Sequence, residues 1–364
     1  MYGLDGPEAL APDSLGLIAG MADSVAAFDE SRAAAEAVEL PFPPDAVGDV
    51  AVCGMGGSGI AGNLVLGAYR DRLLRPMTVV RDYYLPGWIG ENTLVILSSY
   101  SGDTEETLTC ASQALERNAL CVAVTSGGKL ASFYAAEGVP VIALPPGLPA
   151  PRAALLRLLA PVVVLLDRVG AVPPLGSDLQ EARETIASSV AALRPEVPEA
   201  ANPAKQLARA LLGSVPLIWG AELTAAVAYR WRCQFDENSK LPASSAELPE
   251  LDHNDIVGLS GTPAPLSELT RLLMLRDPRN HRQVERRFDL TREIVEPHVD
   301  SALSITAEGQ APLARMLDLV MLGDYASLYL ALLRGLDPGP IEPIQRLKAR
   351  LAETGYGRTA GPEG

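Results

Sequence analysis

Leu94-Val-Ile-Leu-Ser-Ser-Tyr-Ser-Gly-Asp-Thr-Glu-Glu-Thr107 is an apolar run of strand character that ends in a hydroxyl-rich turn and opens directly into a helix. That order is the layout of a phosphate site. Ser99, Ser101 and Thr104 supply short hydroxyl groups, Gly102 permits a tight turn, and the exposed N–H groups of the new helix favour an anion. A plainer reading also fits, in which Ser101 or Thr104 caps the helix and Glu105 to Thr107 complete its first turn.

Upstream, Val50-Ala-Val-Cys-Gly-Met-Gly-Gly-Ser-Gly-Ile-Ala-Gly62 makes the same transition from strand to helix through small residues. Gly54, Gly56, Gly57 and Gly59 allow a ligand to approach the backbone closely. The spacing of Gly54, Gly56 and Gly59 also matches a dinucleotide fingerprint. Asp82, beyond a candidate strand from Met77 to Arg81, would then be the acidic residue expected about 20 positions on. From the motif alone a nicotinamide enzyme stays open.

Strands expected near 49–53, 77–81, 94–98, 120–124 and 139–143 alternate with helices. Such alternation builds a parallel sheet covered on both faces, with its ligand beyond the carboxyl ends of the strands. Gly170-Ala-Val-Pro-Pro-Leu-Gly-Ser177 reads as a linker, followed by helical patterns over 178–193 and 202–212. A second round starts at Val215-Pro-Leu-Ile-Trp-Gly220, a strand ending in a glycine turn, with a helix over 222–234. Further strands are expected near 256–259, 271–275 and 293–296, and a long final helix over 311–333. The halves read as a weak internal repeat. The expected division is a helical segment 1–40, a first domain 41–170, a linker and helix 171–200, a second domain 201–335, and a helical tail 336–364.

The 364 residues, 48% of them hydrophobic, suffice for two ordinary cores. A net charge of −15 argues against nucleic acid as a partner and requires any anionic substrate to be attracted locally. Cys53, Cys110, Cys121 and Cys233 show no C-x-x-C spacing and read as reduced thiols. The start Met1-Tyr-Gly-Leu-Asp-Gly has no basic region followed by an apolar stretch, and the run Leu158–Leu166 is short for a bilayer. A cytoplasmic protein with no membrane partner is therefore expected.

Five short motifs, in order, make the chain resemble the SIS-domain bifunctional phosphoglucose/phosphomannose isomerases: Gly54-Met-Gly-Gly-Ser-Gly59, Ser99-Tyr-Ser-Gly-Asp-Thr104, Pro151-Arg152, Glu237-Asn-Ser-Lys240 and Asp252-His-Asn-Asp255. The resemblance implies an α/β fold of two flavodoxin-like, doubly wound parallel-sheet SIS domains in a pseudo-twofold arrangement, with flanking helices. It also implies a homodimer whose site is shared between subunits, a hexose 6-phosphate substrate, and neither cofactor nor metal. Carried over residue by residue, Gly56, Gly57, Ser58, Ser99, Ser101 and Thr104 would bind the phosphosugar. Glu237 would be the base that moves a proton between C1 and C2, and His253 would open the sugar ring. Arg152 would stabilise the enediol oxygens, with Lys348 near the site. His281 and His298 read as capping or surface residues. Two positions depart from the family pattern: Asp103 replaces a common Asn and is expected to face solvent, and Gly339 stands where Thr is often found. A phosphosugar-binding regulator without catalysis is the alternative, and it gives no reason for Glu237, His253 and Arg152 to occur together.

Overall fold

The computed structural model describes residues 3–353. In chain order they form α1 (Leu17–Gly20), α2 (Ser24–Ala37), β1 (Asp49–Cys53), α3 (Gly56–Tyr69), β2 (Met77–Val80), β3 (Thr93–Ser98), α4 (Glu105–Glu116), β4 (Leu120–Thr125), α5 (Gly128–Ala136), β5 (Val141–Ala143) and α6 (Leu155–Arg168). A second series follows: α7 (Gly176–Leu193), α8 (Pro203–Leu211), β6 (Val215–Ala221), α9 (Leu223–Glu237), β7 (Ser244–Leu248), α10 (Asp255–Ser260), α11 (Ala264–Ser267), β8 (Thr270–Arg276), α12 (Arg282–Val295), β9 (Ser301–Thr306), α13 (Pro312–Leu333) and α14 (Glu342–Glu353). Two compact units result. One holds residues 27–66, 71–174 and the tail from Gly339; the other holds residues up to 26, 67–70 and 175–338.

In the first unit the strands pair in parallel in the order β2-β1-β3-β4-β5. All six residues of β3 are buried, as a strand covered on both faces must be. Ala51, Cys53, Val95, Leu97, Cys121 and Ala123 form one face of the sheet, packed by Cys110, Ala111 and Ala114 of α4 and by Leu130 and Tyr134 of α5. The winding reverses between β1 and β3, so a crevice opens beyond their carboxyl ends, where both small-residue turns lie. This order is flavodoxin-like and is not the 3-2-1-4 arrangement of dinucleotide folds. The Asp82 carboxylate accepts the Tyr83 N–H at 2.6 Å, within its own loop. The dinucleotide reading therefore loses its topological support.

The second unit repeats the plan with the parallel order β7-β6-β8-β9, reversing between β6 and β8. Two strands expected from sequence are helical instead. Residues 256–259 lie in α10, because the Asn254 side chain accepts the Asp255 N–H and starts a helix. Residues 293–295 end α12 and Glu296 opens a 3-10 turn; Val284, Phe288 and Val295 of α12 pack on Trp219, Leu272 and Met274, and the last strand is β9. Sequence reasoning missed both β9 and β7; β7 is polar (Ser-Ser-Ala-Glu-Leu) because it is an edge strand, paired among the described residues with β6 alone.

Helix α13 is long and apolar enough to cross a membrane, yet 89% of its apolar window is buried. It is the core helix of this unit. Gly323 makes room for Trp231 of α9, whose indole N–H donates to the Leu319 carbonyl at 2.8 Å.

Candidate active site

Beyond β3 the hydroxyl turn is folded on itself. The Ser99 and Thr104 hydroxyls lie 2.9 Å apart, the Gly102 N–H donates to Ser99 Oγ at 3.1 Å, and the Asp103 N–H donates to Ser101 Oγ at 3.3 Å. Thr104 occupies the N-cap position of α4 but makes no side-chain capping bond. The plain capping role is therefore not the one these hydroxyls play. The first turn of α4 keeps its N–H donors and the helix's positive end for an anion, with two hydroxyls beside it.

A third turn, missed in the sequence, holds this one in place. Gly102 has φ +71°, and a Cβ there would come within 1.9 Å of the Gly127 carbonyl oxygen. The Ser126 hydroxyl donates to the Tyr100 carbonyl at 2.6 Å, and the Leu130 N–H to the Gly102 carbonyl at 2.9 Å. The signal was Thr125-Ser-Gly-Gly128 directly after a strand. Asp103 is exposed, as expected, and accepts the Lys129 N–H at 3.2 Å.

At the end of β1, Gly54 can only be glycine, because a Cβ would lie 2.6 Å from the Ser98 carbonyl oxygen. Gly56 and Gly57 start α3, and Ser58 is buried in its first turn. A Cβ on Gly57 would meet the Arg152 Cα at 3.6 Å, so the arginine turn lies against the glycine turn. Arg152 is only 5% exposed, which excludes an ordinary surface arginine, and its Nη2 donates to the Gly339 carbonyl at 3.0 Å. The glycine turn, the hydroxyl turn and Arg152 thus come together in one unit. Lys348 belongs to the same unit but stands exposed on α14.

Glu237 ends α9 in the second unit. Its loop is fixed on both sides. Asn238 Nδ2 donates to Ser327 Oγ at 2.9 Å and Ser239 Oγ to the Ser327 carbonyl at 2.7 Å, both on α13. Lys240 Nζ donates to the carbonyls of Glu237 at 2.5 Å and Pro338 at 3.0 Å. About two helical turns earlier, Arg230 forks onto Asp324 of α13 at 2.9 and 2.5 Å. Burial pushes the Asp324 carboxyl up, and the guanidinium opposes that shift. Sequence reading missed this pair because ion-pair partners 94 residues apart leave no local pattern.

His253 is exposed at the end of a short 3-10 turn, Glu250–His253. Asp252 anchors that turn to α12 through Arg287 and Thr291, both at 2.7 Å. The Asn254 side chain accepts the Asp255 N–H at 2.7 Å and donates to Glu250 at 3.2 Å. His281 is the N-cap of α12, as read from the sequence, with Nδ1 accepting the Gln283 N–H at 3.2 Å.

The reversal point of the second sheet is filled by the protein itself. A Glu222 carboxylate oxygen accepts the His281 N–H at 3.0 Å, at the positive end of α12. The place equivalent to the anion turn therefore already holds a carboxylate.

The family model for the bacterial phospho-glucose isomerase C-terminal SIS domain matches residues 200–351. A bifunctional phosphoglucose/phosphomannose isomerase of Caldicellulosiruptor bescii is 40% identical over 84% of this chain and 89% of its own length. The chain belongs to the bifunctional phosphoglucose/phosphomannose isomerase family. The Aquifex aeolicus member is 36% identical over 83% of this chain and 90% of its own. A glucose-6-phosphate isomerase-like protein of Thermus thermophilus superposes with a TM-score of 0.64 at 26% identity, covering 96% of this chain and 99% of that one. The two parallel sheets are thus SIS domains of an isomerase family.

Proposed function

We propose that the chain interconverts fructose 6-phosphate with glucose 6-phosphate, mannose 6-phosphate or both, without a cofactor. The observation that carries this reading is the paired Ser99 and Thr104 hydroxyls at the uncapped start of α4, beside a glycine turn that packs against the buried Arg152. The phosphate binds at α4 through Ser99, Ser101, Thr104 and helix N–H groups. His253 exchanges protons with the anomeric hydroxyl and ring oxygen, opening the ring. Glu237 then removes a proton from C2 of the aldose, or C1 of the ketose, and returns it to the neighbouring carbon through an enediol. The Arg152 guanidinium stabilises the negative charge that develops on O1 and O2. The sugar is isomerised with no net change in oxidation level, so no external oxidant or reductant enters.

His253 acts in this reading on the site of a second copy of the chain. Its exposure, and that of Val257 on the adjoining helix at 69%, support a role at a subunit boundary. A coupled assay with each of the three hexose 6-phosphates tests the proposal. Interconversion of fructose 6-phosphate with at least one aldose is expected; tight binding without turnover on any of them would favour the regulatory alternative.

A further inference from the structure

Tyr100 stands between Ser99 and Ser101 in the hydroxyl turn and is only 7% exposed. Its backbone is pinned by Ser126, whose N–H and hydroxyl donate to the Tyr100 carbonyl at 3.0 and 2.6 Å. Its side chain reaches a distant segment. The phenol O–H donates to the Pro145 carbonyl at 3.0 Å and accepts the Leu148 N–H at 3.1 Å. Those two backbone groups are the ones that close a four-residue turn, here Pro145-Pro-Gly-Leu148, with Gly147 at φ +94°. A proline followed by a glycine of positive φ is the composition of a type II turn, and the tyrosine hydroxyl stands between its closing groups. Arg157 of α6 also donates to the Pro145 carbonyl, at 3.2 Å.

From Leu148 the chain runs through Pro149, Ala150 and Pro151 to Arg152. The two prolines fix φ in that span and hold the residues before them in extended backbone. Ala150 accordingly has φ −150° and ψ 141°. A strap this stiff carries a displacement at Leu148 through to Arg152. We propose that Tyr100 is a positioning residue, setting the Arg152 guanidinium at a fixed distance from the phosphate turn to which Tyr100 itself belongs. This assignment rests on the reading of the cleft as a hexose 6-phosphate isomerase site. In that reading the phosphate holds one end of the open-chain sugar, and negative charge develops on O1 and O2 at the other end. The guanidinium serves only if it already stands where that charge forms, so the two ends of the site must be located relative to one another. Tyr100 is the link that joins them, with its backbone in one and its hydroxyl on the strap to the other.

The test is steady-state kinetics with fructose 6-phosphate on the full-length wild type, Tyr100→Phe, Arg152→Lys and the double variant, with affinity measured by calorimetry on the same proteins. Phenylalanine fills the same space and Arg157 still holds the Pro145 carbonyl, so Tyr100→Phe should fold. A misplaced guanidinium should lower kcat about tenfold to a hundredfold. Affinity should stay near that of the wild type, because the hydroxyls assigned to the phosphate are untouched. In the Arg152→Lys background the tyrosine change should cost little more, since the group it positions is gone. A folded Tyr100→Phe with wild-type kcat overturns the proposal. Equal losses in both backgrounds also overturn it, because Tyr100 would then act independently of Arg152, and so does a loss confined to affinity. If Tyr100→Phe does not fold, Gly147→Ala carries the test: it strains the same turn at a positive φ, with open space around the new Cβ. The same selective fall in kcat is expected there, and an unchanged kcat overturns the proposal. A wild type that turns over none of the three hexose 6-phosphates overturns the isomerase reading itself, and this assignment with it.

Discussion

The Thr104 hydroxyl lies 2.9 Å from that of Ser99 and makes no bond to the helix it precedes. The proposed function assigns this hydroxyl to the phosphate, and that role can be tested against a structural one. Thr104→Val should weaken fructose 6-phosphate binding about tenfold, the scale of one hydrogen bond to a charged group. The free energy of unfolding should change by less than the ~1 kcal/mol that loss of an N-cap costs. Calorimetry and urea denaturation on one preparation decide; a full capping loss with unaltered affinity would return Thr104 to a structural role.

Glu237→Gln keeps the shape of the side chain and removes its capacity to hold a carbon-derived proton. Because the surrounding loop is bound to α13 by Asn238 and Ser239, folding and sugar affinity should persist. Turnover should fall by about 10²- to 10⁴-fold, the range for a positioned base. A fall below tenfold would assign proton transfer to another group.

Asp324→Ala would leave the Arg230 guanidinium buried without its carboxylate, at a cost of about 3–5 kcal/mol. The urea midpoint should drop accordingly, and turnover of the folded fraction should drop too, since the pair fixes the helix that ends in Glu237. Unchanged stability would mean that the interior rearranges to satisfy Arg230.

Glu222 fills the anion position of the second sheet, so each chain should bind one hexose phosphate. Calorimetric stoichiometry near two per chain would show that the carboxylate yields its place.

In a closed twofold dimer that shares its sites, Glu237→Ala and His253→Ala chains complement one another. Random exchange makes about half the dimers mixed, each with one intact site and one doubly altered site, and activity should recover to roughly a quarter of wild type. Exchanged mixtures without recovery would refute a shared site.

Local sequence patterns determined much of this protein. The buried strands 49–53 and 94–98 announce themselves because a parallel strand covered on both faces needs a continuous apolar run, and the turns that follow them must be small to let helices start there. The same logic located the turn after β3 and the capping role of His281, whereas Arg152 was singled out by family resemblance. Where only the edge of a sheet is built, the signal fails: Ser244-Ser-Ala-Glu-Leu248 is a strand through its partner β6 alone, and Ile256-Val257 is helical through the cap at Asn254. The tertiary structure alone decided how the hydroxyls of the turn are used, that the switch point of the second sheet holds the carboxylate of Glu222, and that the Tyr100 hydroxyl holds the strap leading to Arg152. These facts depend on residues from separate strands and helices meeting at one point, and packing sets that meeting, whereas a one-dimensional sequence displays only neighbours along the chain.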